Sequence, residues 1–384
     1  MPASTSPKQL ADDPELLDLM LSRQSSAASV YQVTNYWKKY IGETIRVLRQ
    51  DGLRDFRRQP MGYFRSFGAC DATVTTALQK LFVERSTLPP NERATIMDYL
   101  EFAHRNPDLP ILPFYLKLSD LDQLAARFTD MTAFLSGAEP LARAEPEFVG
   151  NPWASFEYKG RRYTQLYLTY YLRYCAAARF VDFSKVDSVV ELGSGAGNQV
   201  EIIKKLYPHL TFYLLDLAPY LYVCHQFLKS VFPTDVIDYR EMLDSSPATA
   251  PRPGSIVFLD NSRLGEVRPR GSALFWNSAS FGEMEPDVVR NYLHQGRRAW
   301  DGVFLYQSMG GKELGSPGSG GVLQQTRFGH YEEFLGADFH LVDRSPAYHP
   351  LRWEWSSGGY EDALWVRSKP PWLRSFREIP SVLR

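Results

Sequence analysis

The chain has 384 residues, 44% of them hydrophobic, and a formal net charge of −1. This length predicts two domains, or one large domain with an appendage. The near-neutral charge gives no support for a nucleic-acid partner or an anionic membrane, and no stretch reaches the roughly 18 apolar residues of a membrane span.

The three cysteines, Cys70, Cys175 and Cys224, lie far apart in the chain. Their spacing matches neither a zinc motif nor a disulfide framework, so we expect buried free thiols in a reducing compartment. The first residues lack the apolar segment of a signal peptide, and the sequence therefore favours a cytoplasmic protein.

Residues 1–150 are predicted to form a helical domain. Apolar residues recur with helical spacing in several segments, the first of which starts at Pro14; the others are 31–52, 74–81, 96–103 and 121–128. No run typical of a strand interrupts them. This part of the chain is expected to cap a site, to bind a substrate or to form a dimer interface, and prolines and glycines around Gly150 mark its end.

A tyrosine-rich helix is predicted next, over 163–179, at the start of a second domain that spans 151–384. It carries Tyr167, Tyr170, Tyr171 and Tyr174. These tyrosines either pack one helix on another or, for Tyr170, reach a bound substrate.

The segment 189–198, with sequence VVELGSGAGN, predicts a buried strand, a glycine turn and the start of a helix. Such a turn at the carboxyl end of a strand is where an α/β sheet builds a ligand site, because glycines allow close approach of the backbone and the helix start offers free N–H groups. The candidate binding residues are Glu191, Gly193, Ser194, Gly195, Gly197 and Asn198. The alternative is a glycine turn that binds nothing.

A second strand, 211–215, is followed by Asp216 and Leu217. A carboxylate at this position can accept both hydroxyls of a ribose, as an acid about 20 residues after the glycine motif does in nucleotide-binding folds. Dinucleotide binders carry the pattern G-x-G-x-x-G, whereas the third glycine here comes one residue early.

Strands and helices alternate to the end of the chain, which predicts an α/β domain with a mostly parallel sheet covered on both faces. The third strand is either 236–239 or, as we prefer, 255–259, because the latter ends in Asp260, which can contact a base edge. The strand 273–277 ends in Asn277 and is followed by Ser280 and Glu283. Further segments are a helix from Pro286, a strand at 302–308, a helix at 330–335 and strands at 339–342 and 363–366.

Glycines crowd the segment 310–321, which is too rich in them to pack by itself. It is expected to be a mobile lid over the site or else a disordered linker.

The pattern E-x-G-x-G-x-G at 191–197 resembles motif I of class I S-adenosylmethionine-dependent methyltransferases. The segment 276–284, WNSASFGEM, together with 189–197, is similar to a bacterial family of sugar O-methyltransferases from polysaccharide and natural-product gene clusters. The resemblance is specific over 163–291 and fades in the N-terminal region. It implies a Rossmann-like domain with a seven-stranded, mostly parallel sheet, S-adenosylmethionine as the cofactor, and transfer of its methyl group to a hydroxyl of a sugar or a glycosylated natural product.

Under this resemblance Glu191 suits the ammonium group of the cofactor, Asp216 its ribose, and Asp260 its adenine edge, with Leu217 and Asn277 beside them. Ser280 and Tyr170 are the candidate substrate-binding residues.

The acceptor hydroxyl needs a general base. His330, which follows the glycine-rich segment, is the first candidate, and its alternative is a helix-start histidine without chemistry. Glu283 is the second, and it can accept the proton, orient the acceptor or only cap the next helix.

No compact set of metal ligands is visible, so a divalent metal is not supported. The expected partner is a small-molecule acceptor, and a homodimer is left open. Three alternatives remain: a non-sugar acceptor such as a polyketide, phenolic or amine group, a nicotinamide-dependent oxidoreductase, and a binding protein with an inert fold.

Overall fold

The computed structural model describes residues 10–57, 89–91, 94, 118–152, 155–244, 251–347 and 359–374. Cys70 and the helices predicted at 74–81 and 96–103 lie outside these ranges. Positions 89–91 and 94, between the two predicted helices, are described. The helices are α1 (Pro14–Ser26), α2 (Asn35–Asp51), α3 (Leu118–Ser136), α4 (Gln165–Ala178), α5 (Asn198–Leu206), α6 (Ala218–Val231), α7 (Tyr239–Asp244), α8 (Pro286–Gly296) and α9 (Phe328–Leu335).

A seven-stranded sheet forms the centre of the molecule, and the predicted mostly parallel α/β fold is confirmed. Its strands are β3 (Ser188–Leu192), β4 (Thr211–Asp216), β5 (Ile256–Asp260), β6 (Ala273–Ser278), β7 (Gly302–Ser308), β8 (His340–Pro346) and β9 (Tyr360–Val366). Their spatial order is β5-β4-β3-β6-β7-β9-β8, and β9 alone among these seven runs antiparallel to its neighbours. The carboxyl ends of β3 to β7 therefore meet at one edge of the sheet.

The third strand is the segment we preferred. Residues 256–260 form β5, whereas the competing segment contributes only an isolated bridge from Val236 to Ile256. A short hairpin of β1 (Phe156–Tyr158) and β2 (Arg161–Tyr163) precedes α4 and was not predicted.

Apolar side chains cover both faces of the sheet. The strands β3 and β4 are buried along almost their whole length, because helices lie on each side of them. One core packs α4, α5 and α6 with the N-terminal helices, and the other packs α8 and α9.

The N-terminal helices α1 and α2 pack on α6 and reach the carboxyl edge of the sheet. Helix α1 starts at Pro14, as predicted, with Asp13 as its cap. Helix α2 ends at Asp51 and is followed by its C-cap Gly52, the last residue of the predicted segment. The backbone N–H of Asp13 donates to the hydroxyl of Tyr222 (2.8 Å), and the rings of Trp37 and Tyr220 lie 5.2 Å apart. The helical region thus forms a wall beside the strand ends that carry the predicted site.

Candidate functional site

The glycine turn between β3 and α5 is held in a shape that only glycine adopts without strain. Gly193, Gly195 and Gly197 have φ values of 81°, 54° and 81°. A Cβ on Gly197 would press on Leu228, and one on Gly193 would press on Ser280. At Gly195 nothing lies within 4 Å of the added atom. Two of the glycines therefore serve packing, and Gly195 faces space that a ligand can enter.

Glu191, the next-to-last residue of β3, is a buried acid that lacks a hydrogen bond to its carboxylate among the residues the structure describes; its exposed fraction is 3%. Burial, with the nearby charge of Asp216, raises its pKa to about 8, although Arg173 acts in the opposite direction. Because the ionised form of such a buried carboxyl group is destabilised, a cationic ligand beside it stabilises that form most.

Asp216 ends β4 and accepts two backbone hydrogen bonds. Its Oδ2 accepts from the N–H of Gly195 (2.7 Å) and its Oδ1 from that of Leu217 (2.7 Å). Burial still raises its pKa to about 7, against the effect of these two bonds. Glu191 thus precedes the glycine turn near the end of β3, and Asp216 contacts the turn itself from the end of β4.

Two adjoining cavities open at this edge of the sheet, with about 340 Å³ and 270 Å³ of empty space, part of it open to solvent. Both are lined by Asp216 and Asn261. The first is also lined by Gln32, Thr34, Trp37, Leu192, Gly193, Leu217, Met284, Val288 and Tyr292. The second is also lined by Met20, Arg23, Gln24, Ala27, Ala218, Leu221, Asp260 and Ser262. Helix α1 and the start of α2 thus supply one wall of the cleft.

Asp260 lies in the second cavity but is already engaged by protein groups. Its Oδ2 accepts from the Nε of Arg23 (2.8 Å), and its Oδ1 accepts from the hydroxyl of Tyr239. Its neighbour Asn261, which lines both cavities, donates to the backbone oxygen of Tyr31 (2.8 Å) and to Tyr292 (3.0 Å). Asn261, which the sequence indicates together with Asp260 as a polar group able to contact a base edge, is thus a further candidate for ligand contact.

Asn277 is fully buried and points into the protein. Its Nδ2 donates to the backbone oxygen of Leu192 (2.7 Å) and to Ser280 (2.7 Å), and its Oδ1 accepts from the N–H of Phe281 (3.1 Å) and from Gln307 (2.5 Å). It therefore ties the turn after β6 to the end of β3. Through Asn277, Ser280 is held against Gly193.

Ser194 and Asn198 are buried at the two ends of the glycine turn. The Oδ1 of Asn198 accepts from Arg57 (3.0 Å), whose guanidinium also lies 3.7 Å from Glu201 and 4.3 Å from the centre of the Phe227 ring. Burial lowers the pKa of Arg57. The start of α5 is thereby linked to the N-terminal region.

Glu283 lies in a second group of polar side chains, just after β6. The ammonium of Lys312 is 3.3 Å from its Oε1, and that ammonium lies 5.5 Å from the ring of Tyr36 and 5.2 Å from the ring of Tyr360. Burial raises the pKa of Glu283, while Lys312 and a hydrogen bond from Tyr36 oppose the rise. Thr34, whose hydroxyl donates to the backbone oxygen of Glu283 (2.9 Å), and Met284 line the first cavity, so this group adjoins it.

Tyr170 lies at the site edge, whereas the other tyrosines of α4 are buried in the core. The guanidinium of Arg173 lies 4.4 Å from the Tyr170 ring centre and 4.3 Å from that of Tyr306, and its Nη1 is 3.5 Å from the hydroxyl of Ser278. Helix α4 therefore brings one tyrosine and one cation to the strand ends beside Glu191.

His330 sits in the first turn of α9. Its Nδ1 accepts from the N–H of Arg327 (3.1 Å), and its ring stacks on Phe334 at 5.8 Å. These two contacts are the ones found for its ring among the described residues, and neither leads to Glu283. Its part in catalysis stays a prediction.

The sequence missed Tyr36, Arg173, Lys312 and Tyr360 as site residues. Lys312 stands in the glycine-rich segment that was predicted to lie near the site, and this was the only available signal. The others reach the site from separate elements, so spacing along the chain does not reveal them.

Within the described ranges, no group of three or more histidine, cysteine, aspartate or glutamate side chains is arranged to hold a metal ion. None of the helices there combines the length and the apolar character that crossing a bilayer requires. Cys175 and Cys224 are buried and unpaired with each other.

No protein-family model matches the chain, and no curated protein matches it significantly. Among solved structures it is similar to an O-methyltransferase from neocarzinostatin biosynthesis bound to S-adenosyl-L-homocysteine and 1,4-dihydroxy-2-naphthoic acid, with 15% identity, 49% of this chain and 51% of that chain covered, and a TM-score of 0.32. The match thus spans about half the length of that enzyme. The mitomycin 7-O-methyltransferase is 11% identical over 85% of this chain and 98% of its own, with a TM-score of 0.34.

A magnesium protoporphyrin IX methyltransferase from Synechocystis PCC 6803, with S-adenosyl-L-homocysteine bound, is 11% identical over 51% of this chain and 80% of its own, with a TM-score of 0.32. Similarity at this level transfers no activity. The functional conclusion therefore comes from the residues of the site.

Proposed function

We propose that this protein is an S-adenosylmethionine-dependent O-methyltransferase that acts on a hydroxyl of a small-molecule acceptor, with a sugar or a glycosylated natural product as the acceptor class. The observation that carries the proposal is the buried acid Glu191 together with Asp216, whose carboxylate accepts from the N–H of Gly195 at the open backbone of the turn. A pyrophosphate would meet two carboxylates there, whereas a nucleoside with a cationic amino-acid end meets complementary charge.

The residues present fit this cofactor. Glu191, which lacks a hydrogen bond among the described residues, would hold the ammonium group, and Asp216 would accept the ribose hydroxyls at its remaining lone pairs. The adenine of the cofactor would lie in the space that Leu217, Asn261 and Asp260 line. When bound, the cofactor supplies an electrophilic methyl group on a sulfonium.

The turn residues have supporting roles in this proposal. Gly193, Ser194 and Gly197 shape the backbone, Asn198 ties it to the N-terminal region, and Asn277 fixes the strand end. Their contribution is positioning, which is the largest demand of an in-line transfer.

Glu283 is our choice for the group that takes the acceptor proton. Burial raises its pKa, which makes its carboxylate a stronger base than an exposed one, and it adjoins the cofactor cavity. His330, with its ring engaged at the start of α9, would then act as a cap. Tyr170 and Ser280 remain the residues that we propose to contact the acceptor.

The rings of Tyr36 and Tyr360 lie beside Lys312, and the ring of Tyr306 lies beside Arg173. Aromatic faces suit a sugar ring, and they equally suit a phenolic or polyketide acceptor, which is the alternative. A cytoplasmic location and a homodimer are further predictions from the sequence.

Titration calorimetry with S-adenosylhomocysteine tests the cofactor. The native protein should bind it, and Gly195→Asp should abolish binding because the side chain fills the open space. Gly160→Asp is the matched control, since Gly160 also has positive φ and open surroundings but lies in the β1–β2 hairpin. Absence of binding to the native protein, or equal binding by both variants, would remove the proposal.

An acceptor screen with methyl-labelled cofactor separates the acceptor classes. Labelling of glycosylated metabolites alone supports the sugar class, and labelling of phenolic or amine compounds alone supports the alternative. A change in the fluorescence of reduced nicotinamide cofactor on mixing would instead favour an oxidoreductase.

A further inference from the structure

The glycine-rich loop, residues 310–321, is fastened to helix α2 by one side chain. The Nδ2 of Asn35 donates to the backbone oxygens of Ser316 (3.0 Å) and Gly321 (3.0 Å), and its Oδ1 accepts from the N–H of Gly318 (2.8 Å). Asn35 is the first residue of α2 and is 5% exposed. All three of these hydrogen bonds of the Asn35 side chain join the loop to the N-terminal region.

The same loop brings Lys312 to Glu283. The neighbours of Asn35 in the chain contact this pair: the ring of Tyr36 lies 5.5 Å from the Lys312 ammonium, and the hydroxyl of Thr34 donates to the backbone oxygen of Glu283 (2.9 Å). Residues 34–36 therefore touch both the docked loop and the group that we propose as the base.

We propose that Asn35 is a positioning residue that docks the loop on α2 and thereby sets the charge of Lys312 beside Glu283. The proton-transfer part of this inference rests on the proposed function, whereas the docking part does not.

The loop is built so that polar contacts decide whether it is docked. Gly311, Gly318, Gly320 and Gly321 have positive φ, and Leu314 is 60% exposed. Segments that hold on mainly by hydrogen bonds open at low cost. Loss of the three bonds to Asn35 frees the part of the loop that follows Lys312 from α2. The backbone of Lys312 keeps its hydrogen bond from Gln325 (2.6 Å), so it is the side chain of Lys312 that gains freedom to leave Glu283.

Opening the loop changes the charge around Glu283. The groups that face it are Lys312 from the loop, Tyr36 from α2, Tyr360 from β9 through Lys312, and Asp216 from β4. Lys312 is the cation among them, and it lowers the pKa of Glu283. When the Lys312 ammonium moves away from Glu283, its opposing charge is lost and burial raises the pKa of Glu283 further. An acceptor is admitted while the loop is open, and docking of the loop lowers the pKa of the base again.

Docking is tested without any substrate by acetylating lysines with an N-hydroxysuccinimide ester and measuring each site by mass spectrometry. In the native protein Lys312, 22% exposed and paired with Glu283, should react slowly. In Asn35→Ala it should react at least about tenfold faster, because three hydrogen bonds are lost. Lys204, 1% exposed, reports global unfolding, and Lys38→Ala, an exposed change on the same helix, is the matched control.

Equal reaction of Lys312 in the native protein and in Asn35→Ala, with Lys204 still protected, overturns the docking. If Lys204 also reacts, Asn35→Asp decides by the same criterion, because it keeps the acceptor for Gly318 and loses both donors. In Asn35→Asp, an acetylation rate of Lys312 at least severalfold above that of the native protein supports the proposal, and an unchanged rate overturns it.

The proton-transfer part is tested with an acceptor from the screen. Asn35→Ala and Lys312→Ala should each move the acidic limb of the kcat–pH profile to higher pH, and the double variant should move it no further. A uniform loss of kcat with an unmoved limb overturns the positioning role. If no acceptor is methylated at all, the proposed function fails while the labelling result stands by itself.

Discussion

The charge state of Glu191 gives the sharpest prediction. Its pKa of about 8 means that about nine molecules in ten carry a protonated carboxyl at pH 7. A ligand ammonium requires the ionised form, and ionising it at pH 7 costs about 1.4 kcal/mol. The affinity for S-adenosylhomocysteine should therefore rise roughly tenfold per pH unit below 8, or about 50-fold from pH 6 to pH 8.

Glu191→Gln removes the titrating group without changing the shape of the side chain. The variant should bind more weakly at pH 8 and lose the part of the pH dependence that Glu191 supplies, whereas Asp216, whose pKa burial raises to about 7, still titrates in this range. Calorimetry in buffers of different ionisation enthalpy should also detect release of close to one proton from Glu191 on binding to the native protein at pH 7, and a correspondingly smaller release on binding to the variant.

The raised pKa of Glu191 also predicts that Glu191→Gln is more stable than the native protein above pH 4.5. Because its pKa is raised from 4.5 to about 8, its contribution to the native protein is fully present below pH 4.5 and is lost as the pH rises to 8. This rise is worth on the order of 5 kcal/mol. In urea unfolding, Glu191→Gln should match the native protein near pH 4.5 and exceed it at pH 8.

Glu241→Gln, an exposed change in α7, is the control and should alter neither property. An affinity that is flat between pH 6 and pH 8 in the native protein would refute the reasoning, as would the same pH slope in Glu191→Gln.

Two further predictions concern packing and the base. Gly197→Ala should lower the free energy of unfolding by about 1–3 kcal/mol in urea titrations, because the new methyl group meets Leu228 in a backbone with φ of 81°; an unchanged midpoint would contradict this. His330→Ala should keep kcat within about threefold, and Glu283→Gln should lower it at least about 100-fold in the labelled-cofactor assay; the reverse order would make His330 the base.

The first half of the site could be predicted from the sequence because its signals are local. The alternation of apolar strand, glycine turn and helix between Glu191 and Asn198 lies within one short segment, and Asp216 follows from the next strand end. Parallel strands bring such ends to one edge, so the spacing was sufficient.

The rest depends on contacts between distant segments. Asp260 lines the second cavity, where it stays a predicted ligand contact, but the sequence does not indicate that Arg23 and Tyr239 bind its two oxygens. Tyr36 and Lys312 meet Glu283 only because α2 packs beside the sheet. No periodicity in the sequence reports such pairs.

The wall that α1 forms along the second cavity affects how the chain can be divided. Arg23 bonds Asp260, and the side chain of Gln24 accepts from the N–H of Ala218 at the start of α6. A fragment beginning at the composition boundary near Gly150 would keep the sheet and the glycine turn but leave the second cavity without its outer side. Exchange of the helical region for that of another chain would therefore alter this cavity, so the two parts are best engineered as one unit.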